Sequence, residues 1–130
     1  MHTAAVCAGL LGLLVFGLGI AVSALRGATS TVIGYNPDPA DRLYKMVRAH
    51  GNAAEFNPMM ALLILYIDSS SPAPWVLWLF IIATASRVLH AAGMILSPTL
   101  AKGQPLRFVG AVGTYVCGLI LAVLAMRVSG

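Results

Sequence analysis

The sequence predicts an all-α integral membrane protein, a single bundle of four helices. Three observations carry that expectation. Composition is the first: 59% of the residues are apolar and 9% are charged, where a soluble domain holds about 25% charged residues. The second is a mean hydropathy of +0.89, which suits lipid as the solvent. The third is arithmetic. One crossing takes roughly 20 apolar residues, so 130 residues hold four crossings and no separate soluble domain. Disorder, a coiled coil, a secreted disulfide scaffold and an ordinary cytosolic enzyme are excluded together.

The first run, about residues 3–25, is unbroken by charge. Ala21–Ala24 has the small residues of a signal-peptidase site. The stretch before it lacks a basic start and its apolar core is too long, so it reads as a transmembrane helix. Gly34, Asn36, Pro37, Asp38 and Pro39 break the chain. Asp41 then stands as an N-cap for a second helix over about 41–67. A turn, Asp68–Pro72, leads to a third helix over about 73–96, with Trp75 and Trp78 as interfacial anchors. Pro105 suits the first turn of a fourth helix ending near 127.

The net charge of +4 does not point to nucleic acid, because the basic residues flank the apolar runs rather than forming a soluble face. Arg26, Arg42, Lys45 and Arg48 flank the first connection, and Lys102 and Arg107 the third. The middle turn has Asp68 and no basic residue. That asymmetry places both basic connections in the cytoplasm and both termini on the other side. The short loops favour a bacterial inner membrane. Cys7 and Cys117 lie within apolar runs, without the spacing of a metal site.

Charge inside a membrane helix costs about 2.5–3.5 kcal/mol on insertion scales, so Arg48, His50, Asn52, Glu55, Arg87 and His90 require an account. Arg48, Asn52 and Glu55, spaced i, i+4, i+7, share one stripe. Arg87, His90 and Met94 share another. His50 is turned away from Arg48 by about 200° and reads as an interhelical group. Glu55 lies about 12 Å in from a boundary near Val47, and Arg87 about 13 Å from one near Leu96. Matching depth in antiparallel helices predicts a Glu55–Arg87 ion pair. Such a pair can serve helix register alone. Yet Arg26, Arg48, Asn52, His90 and Arg107 cluster at the same end, and this surplus of donors points to an anionic ligand. Gly9, Gly12, Gly17 and Gly19, with Gly110, Gly113 and Gly118, read as close-packing positions.

The string Arg48-Ala-His-Gly-Asn52-Ala-Ala-Glu55-Phe-Asn-Pro58, followed in the third helix by Arg87-x-x-His90, resembles the signature of membrane-associated proteins in eicosanoid and glutathione metabolism, the MAPEG family. The likeness covers essentially the whole chain. It implies a homotrimer that binds glutathione between subunits near the cytoplasmic face. Arg26, Arg48, Asn52, Glu55 and His90 would contact the tripeptide, and Arg107 would stabilise its thiolate. It also implies a transferase or peroxidase acting on small lipophilic electrophiles that enter from membrane lipid. Gly51, Met94 and Phe108 depart from the better-known enzymes, and Lys102 rivals Arg107. These departures keep open the alternative of a non-catalytic lipid-binding protein of the same fold.

Overall fold

A computed structural model describes residues 2–128. Four helices fill it: α1 (His2–Ala28), α2 (Arg42–Asp68), α3 (Pro74–Leu96) and α4 (Pro105–Val128). At 1.5 Å per residue they run about 35–40 Å, enough to cross a hydrocarbon core of about 30 Å. α1, α3 and α4 are long and apolar enough to span a membrane by composition. α2 equals α1 in length, but its first half carries Arg42, Lys45, Arg48, His50, Asn52 and Glu55.

Local chemistry sets the ends. α1 closes on Ser30, in the left-handed region at φ 52°, with the Thr31 amide bonded back to the Arg26 carbonyl. This is the wrap that satisfies a helix's last carbonyls. Asp41 caps α2 by accepting from the Tyr44 amide at 2.8 Å. Pro58 stands inside α2 and denies the Ala54 carbonyl its usual partner, yet the helix continues to Asp68. Pro74 opens α3 and Pro105 opens α4, positions where a missing N–H costs nothing. At α4 the Gln104 Oε1 accepts from the Arg107 amide at 2.8 Å.

α2 and α3 form the central pair. α1 packs on both of them, as does α4, while the backbones of α1 and α4 do not approach closely among the described residues. Two apolar clusters fill the interior. One gathers Leu11, Ile64, Phe80 and Leu121; the other gathers Leu18, Ala49, Ala53, Ala91 and Met94. Between them lie buried Asn57 of α2 and Arg87 of α3, joined by buried Thr114 of α4. Outside, the chain is apolar: Leu13, Phe16 and Leu119 are each about 70% exposed or more, as lipid-facing residues are.

The glycines divide differently from the expectation. A Cβ added at Gly9, Gly12, Gly17 or Gly118 meets nothing within 4 Å among the described residues, and in α1 only Gly19 is close-packed, against His50. The tight seam is α3 against α4. There a Cβ at Gly110 would strike the His90 backbone, one at Gly113 the Ser86 hydroxyl, and one at Gly93 the Arg107 backbone.

Candidate functional site

The basic end of the bundle is organised by backbone carbonyls. Arg26, at the end of α1, turns onto its own connection and donates to the Gly34 carbonyl at 2.8 Å and the Thr31 carbonyl at 3.4 Å. Lys45 of α2 donates to the Ser97 carbonyl at 2.8 Å, placing a cation at the negative end of α3. The Leu100 amide donates to the Pro39 carbonyl, which ties the two long connections together.

Arg107 stands in the first turn of α4. Its guanidinium folds back and donates to the carbonyls of Leu100 at 3.2 Å and Lys102 at 2.9 Å. His90 of α3 meets the same residue from below: its Nδ1 lies 2.9 Å from the Arg107 carbonyl. A carbonyl only accepts, so Nδ1 carries the proton, and in the neutral ring Nε2 is left as an acceptor. Close approach of Gly110 to the His90 backbone makes this contact possible. Lys102 is exposed, and its carbonyl rather than its ammonium serves Arg107.

The stripe on α2 splits. Arg48 and Glu55 are exposed on the single chain, and neither makes a hydrogen bond or ion pair with another described residue. Asn52 is half-buried and bound to Arg87. The expected Glu55–Arg87 ion pair is not formed. Arg87, 1% exposed, spends its donors elsewhere: Nε on Asn57 Oδ1 at 2.8 Å, one terminal nitrogen on Asn52 Oδ1 at 2.7 Å and the Asn52 carbonyl at 3.1 Å, and the other on Thr114 at 3.4 Å. Its charge also lies 5.1 Å from the Phe56 ring centroid, an attractive cation–π position. Depth matching located the right layer. It missed that neutral amides on the buried side of α2 reach the guanidinium while Glu55 sits on the outer side.

Asn57 and Thr114 are the residues that sequence reasoning passed over. Asn57 links three helices, donating to the Leu11 carbonyl of α1 at 3.0 Å while accepting from Arg87 of α3. A signal existed: Asn57 falls four residues after Ala53 and three before Met60, on the buried face of α2. Met94, by contrast, is core, packed with Leu18 and Ala91.

Below Glu55 a groove of about 610 Å³ runs between α2 and α4, lined by Phe56, Met59, Leu63, Tyr115 and Leu119 among others. One end is marked by the Glu55 carboxylate, Thr114 and Tyr115 add hydroxyls, and the rest of the lining is apolar. The site therefore offers exposed charges of both signs that make no hydrogen bond or ion pair among the described residues, an amide with its oxygen already engaged, and a mostly apolar groove on the outside of the bundle. Comparison with curated proteins gave no match. The MAPEG family profile matches residues 4–127, all four helices and the layer just described, and the chain belongs to that family of integral membrane proteins.

Proposed function

We propose that this protein is a membrane-embedded, thiol-dependent transferase or peroxidase that uses glutathione against lipophilic electrophiles. The observation that carries the reading is that Arg48 and Glu55, exposed and without a hydrogen bond or ion pair among the described residues, stand beside the mostly apolar α2/α4 groove beginning at Glu55. Glutathione presents carboxylates, an α-ammonium group and a thiol. Arg48 suits a carboxylate, Glu55 suits the ammonium, and the Asn52 NH2, its oxygen held by Arg87, is left to donate. The residues present thus fit the tripeptide. The thiol, when bound as thiolate, supplies the nucleophile: sulfur forms the new bond to an electrophilic carbon while the leaving group departs with its electron pair.

Arg107 is the cation for that thiolate, since a nearby positive charge raises the reactive fraction of a thiol. To reach sulfur it gives up the Leu100 and Lys102 carbonyls. His90 holds the Arg107 main chain in place meanwhile. Arg26 binds from its position beside the first connection. Exposed charge at membrane depth also supports a homotrimer, because a second copy removes Arg48 and Glu55 from lipid, where each would cost about 2.5–3.5 kcal/mol. The Lys and Arg asymmetry supports a cytoplasmic basic end, and the short loops a bacterial inner membrane.

The second reading, a non-catalytic lipid-binding protein, is favoured by one specific feature: the Arg107 guanidinium is already satisfied by two loop carbonyls. One experiment separates the two. Purified protein is heated with and without millimolar glutathione, beside Arg48→Ala and Arg107→Ala. Saturating stabilisation that both substitutions weaken supports the thiol site. No shift in the unsubstituted protein removes it and leaves lipid binding.

A further inference from the structure

At the opposite end of the bundle, the start of α3 and the end of α4 enclose a second kind of site. Seven of the eight Lys and Arg residues lie at the basic end or in the middle of the bundle; Arg127 alone stands here, in the last turn of α4. It is exposed, and makes no hydrogen bond or ion pair with another described residue. Two recesses meet at it. One, of about 370 Å³, lies beside the α2–α3 turn at Ser70 and Pro72. The other, of about 390 Å³, descends along α4 and is lined by Trp75, Leu119, Ile120, Val123, Leu124 and Arg127. Trp75, Leu124 and Arg127 belong to both. Asp68, the carboxylate of this end, lines neither.

We infer that this double recess binds an anionic phospholipid, with its phosphate on Arg127 and one acyl chain along Leu119–Leu124. The proportions fit. From Arg127 to Leu119 is eight residues, about 12 Å of helix, which lies within one leaflet of a hydrocarbon core about 30 Å thick. Guanidinium matches phosphate as a planar donor. The Trp75 indole has an N–H without a partner among the described residues and belongs at headgroup level. A zwitterionic choline lipid would bring its own cation beside Arg127, so the net-anionic lipid is the occupant. The inference does not depend on the thiol site.

Both tryptophans of the chain, Trp75 and Trp78, sit at this end, which gives a local reporter. In Trp78→Phe protein reconstituted into bilayers, Trp75 fluorescence is quenched by brominated phosphatidylglycerol or, at the same mole fraction, brominated phosphatidylcholine. The expected result is at least twofold stronger quenching by the glycerol lipid, retained in Arg127→Lys and lost in Arg127→Gln. Equal quenching by the two lipids overturns the proposal, as does a preference that survives Arg127→Gln. Abolition of the preference by millimolar inorganic phosphate at constant ionic strength also overturns it, reducing the site to one for a free anion.

Discussion

One terminal nitrogen of Arg87 holds both oxygens of Asn52, the side-chain carbonyl at 2.7 Å and the main-chain carbonyl at 3.1 Å. A buried cation thus finds its acceptors in amides, and the orientation of Asn52 is fixed with its NH2 away from Arg87. Arg87→Leu removes the charge but leaves the oxygens of Asn52 and Asn57 behind. The orphaned oxygen of buried Asn57 costs about 1–3 kcal/mol and half-buried Asn52 adds to it, so the variant loses folded protein. Arg87→Lys keeps the charge without the fork and lies between. Thermal unfolding of the purified variants checks the order; an Arg87→Leu protein as stable as its parent would contradict it.

Glu55 makes no bond to that guanidinium and is exposed on α2. Glu55→Gln therefore breaks no hydrogen bond or ion pair of the described chain and should cost less stability than Arg87→Leu. It removes the carboxylate proposed to receive the ammonium of glutathione. Unfolding with and without glutathione separates the two effects. A large loss of stability without ligand would restore the ion pair that the geometry lacks.

The α3–α4 seam predicts a contrast between glycines. At Gly110 a methyl group meets the His90 backbone and the Ser86 carbonyl, which cannot swing aside, while at Gly17 it meets nothing within 4 Å among the described residues. Overpacking of this kind costs about 1–3 kcal/mol. Gly110→Ala should destabilise by that amount and weaken the His90–Arg107 contact, whereas Gly17→Ala should be neutral or better, since alanine favours helix. Side-by-side unfolding of the two proteins is the check.

The helices were legible because hydropathy, proline and capping chemistry act locally. Asp41 and Pro105 stand where the chain punctuation is visible without a fold. The buried polar layer was half legible: Arg87 announced itself as a charge within an apolar run, but its partners depend on helix rotation. A rotation that points Asn57 inward turns Glu55 outward, and residue spacing within α2 fixes only their relative angle. The glycines illustrate the same limit. Gly17 and Gly110 look alike in sequence, and only the pairing of helices distinguishes an empty neighbour from a backbone. The contacts of Arg107 were illegible, because main-chain carbonyls leave no trace in residue identity.

His90 joins the candidate site to the bundle through one bond, from Nδ1 to the Arg107 carbonyl at 2.9 Å. An asparagine side chain places an NH2 donor near the same point; leucine has none. His90→Asn should retain the first turn of α4 and the response to glutathione. His90→Leu should lose roughly 0.5–1.5 kcal/mol, the net worth of one hydrogen bond, with the loss concentrated in amide exchange at the start of α4. Because Arg107 would then be poorly placed, glutathione-dependent stabilisation falls in His90→Leu by more than its basal stability falls. Equal responses from the Asn and Leu variants would mean that His90 contributes through ring packing alone and does not position Arg107.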